Sequence, residues 1–181
     1  MKRILSFIAV ALGSILMGNA QAKLSADDIM KEACEKAAKE NKKVFVMFHA
    51  SWCGWCHRMD ASMNDEDVKK YFDDNFVIRH FVVDENGEKK DLETPGANEI
   101  RTKYHGDGQG IPFWLVFDSK GNMLADSKMR TAGEGPEKGQ NTGCPAAEAE
   151  VAYFIDVLKR TTKLNEDQLA KISKRFRKNE N

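Results

Sequence analysis

The stretch Lys43–Asp60, KVFVMFHASWCGWCHRMD, constrains this chain more than any other. Its apolar run, Val44-Phe45-Val46-Met47-Phe48, reads as a buried strand. Ala50-Ser51-Trp52 end that strand, and Cys53 and Cys56 follow, ahead of polar, helix-compatible sequence. A Cys-x-x-Cys pair where a strand turns into a helix is a redox signature with a mechanism. Cys53 would stand at the helix N-terminus, where free N–H groups and the macrodipole favour a thiolate. Cys56, one turn later, lies close enough to close a disulfide back onto it.

Composition narrows the setting. A chain of 181 residues suggests one domain with extensions, and a hydrophobic content of 41% is ordinary for a globular protein. The formal net charge of zero gives no electrostatic reason to propose nucleic acid, and four cysteines are too few for a disulfide-dense scaffold. The N-terminus reads as a signal peptide over residues 1–22. Lys2 and Arg3 precede an apolar stretch from Ile4 to Met17, and Ala20-Gln21-Ala22 fits a small-x-small cleavage site. That stretch is short for a membrane span, which leaves an uncleaved anchor as the lesser reading. Export to a periplasm or the extracellular space follows, a compartment that permits disulfides.

Ser25 to Asn41 predicts a helix capped by Ser25, with Asp27 and Asp28 in its first turn. Ile29, Met30, Ala33, Cys34, Ala37 and Ala38 make its apolar face. After the cysteine pair, helix continues through Met59 and Met63, breaks near Asn64-Asp65 and resumes from Glu66 to Asp73. Asn75 to Val83 reads as a second strand and Asp84 to Thr94 as an exposed charged loop with an Asn86-Gly87 turn. A short helix from Ala97 to Tyr104, a glycine-punctuated turn, a strand from Phe113 to Phe117, a hairpin turn and a returning strand from Asn122 to Ser127 follow. Lys128 to Gly143 is too polar and aperiodic for core, and a loop that long is often functional or mobile. Helices from Ala146 to Arg160 and from Asn165 to Arg177 complete the chain, the latter with a solvated basic face.

Two separated features coincide: a strand ending in WCGWC, and RTKYHGDGQGIPFWLVFDSKGN farther along. Together they resemble the thioredoxin family, over Ser25 to Arg160. The resemblance implies an α/β thioredoxin fold, a central mixed sheet flanked by helices, here with a C-terminal helical extension over residues 161–181. It implies a thiol-disulfide oxidoreductase in which Cys53 is the exposed attacking thiolate and Cys56 resolves the mixed disulfide. It places a cis-proline at Ile111-Pro112, facing the cysteine pair and holding the substrate backbone. Trp52 would shield one side of the site, and Gly54-Trp55 stands where thioredoxin has Gly-Pro. Met47 occupies the position of the family's buried acid, and His80 falls near that of its buried lysine. His49, His57, His80 or water is therefore the candidate proton acceptor, since histidine titrates near the working pH. The charged insert and the last helix resemble the reductases and isomerases of the bacterial envelope, and Ile111 resembles the reducing members. Client proteins with disulfides and a membrane thiol-transfer electron donor are the implied partners. No metal, nucleotide or flavin is indicated, and the sequence does not fix the oligomeric state.

Three other readings compete. Cys53-Gly54-Trp55-Cys56-His57 spells the c-type haem attachment motif, although haem has no use for the Ile111-Pro112 hairpin. Structural zinc could use Cys53 and Cys56 with histidines, but the sequence has one Cys-x-x-Cys. A non-catalytic binding module with a structural 53–56 disulfide is the third. Cys34 and Cys144 are either free thiols or partners in a second disulfide, which export makes plausible and the family's helix placement opposes; Cys144 could also be an auxiliary redox thiol.

Overall fold

A computed structural model describes residues 23–180; the expected signal peptide, 1–22, lies outside them. Helix α1 (Ala26–Glu40) starts at Ser25, whose hydroxyl accepts the Asp28 amide while the Asp28 carboxylate accepts the Ser25 amide. It ends at Asn41, in the left-handed region at φ 54°. Ala26, Ala33 and Ala37 are fully buried, and their small side chains let the helix lie close to the sheet.

The sheet has the order β2-β1-β3-β4. β1 (Lys43–His49) runs parallel to β2 (Phe76–Val82) and antiparallel to β3 (Phe113–Phe117), which pairs antiparallel with β4 (Met123–Asp126). It is the mixed sheet the resemblance implies. β1 is central and covered on both faces, which explains its unbroken apolar run. Its side chains alternate: Val44, Val46 and Phe48 pack toward α1 and α4 (Ala97–Lys103), while Phe45 and Met47 pack on the other side. That second face is covered by α2 (Gly54–Met63), α3 (Lys69–Asn75), α5 (Glu148–Thr161) and α6 (Glu166–Arg177). α6 belongs to this core, because Leu169, Ile172 and Phe176 are buried with Phe154 and Phe72.

Three expectations change, and the state of Cys34 and Cys144, which the sequence left open, is decided. α3 begins at Lys69, not Glu66, because Asp65 to Val68 forms a turn closed by the Val68 amide on the Asp65 carbonyl, 3.0 Å. The charged loop after β2 contains a 3-10 helix, Gly87–Leu92, and one fully sheltered carboxylate, Glu85. The polar segment after β4 is anchored in the molecule. Short strands β5 (Lys128–Met129) and β6 (Gln140–Asn141) pair within it, and the buried Lys128 ammonium donates to the carbonyls of Pro136, 2.6 Å, and His105, 3.1 Å. Finally, Cys34 and Cys144 are free thiols with no bridge between them. Cys34 packs with the α1 face and Cys144 with the α5 face, so the sheet itself stands between them.

Candidate active site

The C-terminal end of β1 delivers Cys53 as the N-cap of α2. Its sulfur accepts the Cys56 amide at 3.1 Å, and its carbonyl accepts the His57 amide at 3.2 Å. A sulfur in the place usually taken by a serine or aspartate oxygen receives the helix's unpaired N–H groups, which is the geometry that favours a thiolate. Cys53 and Cys56 are joined by a disulfide, with sulfurs 2.06 Å apart. Cys56 is fully buried. Cys53 is only 3% exposed, where sequence reasoning expects an exposed nucleophile; Ala50 and Ile111 pack against it. Its sulfur lies 3.6 Å from the Ile111 carbonyl oxygen, a contact and not a hydrogen bond, since a disulfide sulfur carries no proton. The Ile111–Pro112 bond is cis.

Exposed surface flanks the pair. Trp52 and Trp55 are 53% and 49% exposed, and a Cβ added at Gly54 would meet nothing within 4 Å. Trp52 is held by its indole N–H on the Asp84 carbonyl, 2.8 Å, and the Asp84 carboxylate in turn accepts from the two terminal guanidinium nitrogens of Arg101, at 2.6 and 2.9 Å. Trp55 lies under the Arg58 guanidinium, 4.9 Å from the ring centre, and Arg58 donates to the Asn179 carbonyl at 2.9 Å. The C-terminal 3-10 turn, Lys178–Glu180, therefore braces the helix that carries the cysteines.

The sequence singles out neither Glu85 nor Asn141, yet both shape the site. Glu85 accepts the Ser51 amide and hydroxyl in the turn before Cys53, and Asn141 holds the loop that carries Ile111. Both sit in stretches whose local pattern is simply polar, and neither has a signal within a few residues of its own position. Arg58 and Asp60 are equally unmarked on a helix face that reads as solvated.

The three candidate histidines occupy different settings. His57 is exposed, with Nε2 3.0 Å from the Ser51 carbonyl oxygen. His80 stands opposite Met47 in the β1–β2 register. It is exposed, unlike the buried lysine it was matched to, because β2 is an edge strand, and its Nε2 is 2.8 Å from Asp60 Oδ1. His49 is half-buried against the His80 ring, centroids 5.1 Å apart. Burial, and then the neighbouring His80, hold the His49 pKa below the usual imidazole value, while Asp60 and Glu85 oppose them. Asp60 stands one helical turn beyond Cys56 on α2. No strand acid replaces Met47; this carboxylate with two imidazoles is the ionisable group that α2 and the sheet bring together.

The sequence profile of a family described as thioredoxin-like matches residues 26–119, which takes in β1, the cysteine pair, the Ile111-Pro112 loop and β3. The chain belongs to the thioredoxin-like family. Mouse spermatogenesis-associated protein 20 is 30% identical over 87 residues, 48% of this chain and 11% of that protein, and its human counterpart aligns equally at 30%. The chain thus spans about a tenth of the length of these curated relatives, 11%. Among solved structures, a disulphide isomerase from Xylella fastidiosa Temecula1 is similar with TM-score 0.46 and 21% identity, covering 64% of this chain and 80% of that one. The oxidised C-terminal domain of DsbD from Neisseria meningitidis gives TM-score 0.44 and 20% identity, covering 77% and 99%. In this thioredoxin-like protein the polar segment 128–143 lies beyond the matched residues and reaches the Ile111 loop through Asn141.

Proposed function

We propose that this protein is an exported thiol-disulfide oxidoreductase that reduces or isomerises disulfides in other proteins. The observation that carries the reading is the Cys53 sulfur at the N-cap of α2. It accepts an amide N–H, is bonded to a buried Cys56 and is bordered by Ile111 between two exposed tryptophans. In the reducing direction the Cys53 thiolate attacks one sulfur of a client disulfide, and the other client sulfur leaves as a thiolate that takes up a proton. Cys56, deprotonated, then attacks the Cys53 sulfur and expels the second client thiolate. Two electrons pass to the client and the Cys53–Cys56 disulfide remains. A membrane thiol-transfer protein in the envelope would return the enzyme to the dithiol.

Cys56 is fully buried and must lose its proton to attack, so the second step calls for a base. We assign that role to Asp60, which is hydrogen-bonded to His80 and lies one helical turn from Cys56, with the His49 ring against His80. The isoleucine at 111 favours the reducing direction.

The test is turnover of oxidised insulin and of a scrambled protein, together with the reduction potential of Cys53/Cys56 after Cys34 and Cys144 are substituted. A potential near about −270 mV supports a reductase, and one near about −180 mV an isomerase. No turnover of either substrate would leave a binding module with a structural disulfide. Single-turnover resolution of the mixed disulfide in Asp60→Asn, His49→Gln, His57→Gln and His80→Gln tests the base; four unchanged rates remove it.

A further inference from the structure

We infer that the polar insert 128–143 is a client-specificity element, with Asn141 as the residue that positions the client-binding loop. This rests on the reading of the site as one that opens protein disulfides. The insert is pinned at its start by the buried Lys128 and by the Asp126–Arg130 ion pair. It is pinned at its end by the Thr142 amide, which donates to the Ser127 carbonyl at 2.8 Å. This framework delivers Asn141 to the backbone of the Ile111 loop.

The Asn141 amide nitrogen lies 3.1 Å from the Gln109 carbonyl oxygen, 3.3 Å from that of Gly110 and 3.0 Å from that of Pro112. Its oxygen accepts the Gly143 amide at 3.1 Å. Three carbonyls on one side and one N–H on the other fix which end of the amide is which. The two amide hydrogens are shared among carbonyls that straddle Ile111, the residue whose own carbonyl touches the Cys53 sulfur. Asn141 therefore sets where the Ile111 backbone stands relative to the reacting sulfur.

Beside this loop lies a recess of about 250 Å³ between Trp55 and Pro112, closed by Thr142, Cys144 and Ala146. Its lining carries one ionisable carboxylate, Glu150, and that group is engaged by the amides of Ala146 and Ala147 at 3.0 Å. The recess suits an uncharged side chain next to the client's cysteine, presented by an extended segment lying along the Ile111 loop. Gln109 stands on its rim, so the insert and the loop share the choice of client.

Asn141→Asp keeps the shape and turns the donors into acceptors facing three carbonyls; Asn141→Ala removes them. Both are assayed on oxidised insulin and on bis(2-hydroxyethyl) disulfide, alongside the Cys53/Cys56 potential and Tm. The expected result is an insulin KM raised about tenfold in Asn141→Asp and less in Asn141→Ala, a loss about tenfold larger than any loss on the small disulfide. Equal losses on both substrates, or no loss on insulin, would overturn the proposal. Gln109→Lys, which leaves the Asn141 contacts in place, serves where Asn141→Asp unfolds. Wild type should favour peptide disulfides with valine beside cysteine over those with glutamate, and Gln109→Lys should shift that preference toward glutamate by about tenfold. Equal rates on both peptides, before and after substitution, would also overturn it. A wild type inactive on every disulfide would instead refute the oxidoreductase reading.

Discussion

Glu85 holds Ser51 by both of its groups: one carboxylate oxygen accepts the Ser51 amide at 2.6 Å and the other its hydroxyl at 2.9 Å. Ser51 lies two residues ahead of Cys53, and Lys89 from the same charged insert also reaches the Ser51 hydroxyl, at 3.2 Å. The segment between β2 and α4 is thus a clamp on the turn that presents the first cysteine.

Glu85→Gln should loosen that turn without changing its volume. The Ser51 amide, first, and then the Ser51 hydroxyl hold the Glu85 carboxyl below its ordinary pKa, against a desolvation that raises it. A depressed folded-state pKa contributes stability that is complete above the unfolded value near 4.5 and lost as pH falls through the folded one. Stability followed by tryptophan fluorescence in an acid titration should therefore fall less steeply below pH 4.5 in Glu85→Gln than in the wild type. An identical acid transition in the variant would exclude the clamp.

Cys53→Ser should lower insulin reduction by about 1000-fold or more, since a serine hydroxyl does not replace the thiolate. Cys56→Ser should lose turnover too, but it should accumulate a covalent complex with the client that dithiothreitol releases. Mass analysis under non-reducing conditions reads this directly. A complex trapped by Cys53→Ser and not by Cys56→Ser would reverse the two roles.

Cys144 should be nearly inert toward iodoacetamide in the native protein. Burial pushes its thiol up to about 12, with Arg58 and Arg175 pulling the other way, and the Asn179 amide lies 3.4 Å from its sulfur. At pH 8 its thiolate fraction would be about 10⁻⁴, so labelling should wait on unfolding. Because the folded pKa is raised, its contribution to stability is complete below pH 9 and lost as pH rises from 9 toward 12; Cys144→Ala should flatten that alkaline decline. The non-reduced peptide map should contain no peptide linking Cys34 to Cys144.

Phe176→Ala should cost about 3–5 kcal/mol and lower Tm accordingly. The ring is fully buried, 4.9 Å from Phe154 and 6.2 Å from Phe72, centroid to centroid. Exposed Lys174, on the same helix, should tolerate alanine within about 0.5 kcal/mol. Equal effects at both positions would mean that α6 is an appendage and not part of the core.

Most of the architecture was legible before any coordinates. The five-residue apolar run of β1 belongs to a central strand covered on both faces, and that is what an unbroken run encodes. Ser25 caps α1 where its pattern places it, because a cap is a local hydrogen bond between near neighbours in sequence, and α6 starts within one residue of its expected bound. Cys53 and Cys56 were readable for the same reason. Their chemistry depends on the spacing of two side chains across one helical turn.

What escaped the sequence was the set of polar contacts closed between distant segments. Glu85 with Ser51, Asn141 with the Ile111 loop and Asn179 with Arg58 join residues 34, 29–32 and 121 positions apart. Each of those residues is polar within a polar stretch, where local pattern reports solvation and nothing else. The sequence by itself determined the four strands of the main sheet, the run of α-helices, the Ser25 cap and the redox pair, since short-range periodicity and hydrogen bonding set them. The tertiary structure alone decided that Cys53 is almost wholly buried, that the Lys128 ammonium is sheltered, and that two polar segments brace the site. Those outcomes depend on which buried donors and acceptors meet once the chain is packed, and no local pattern encodes that meeting.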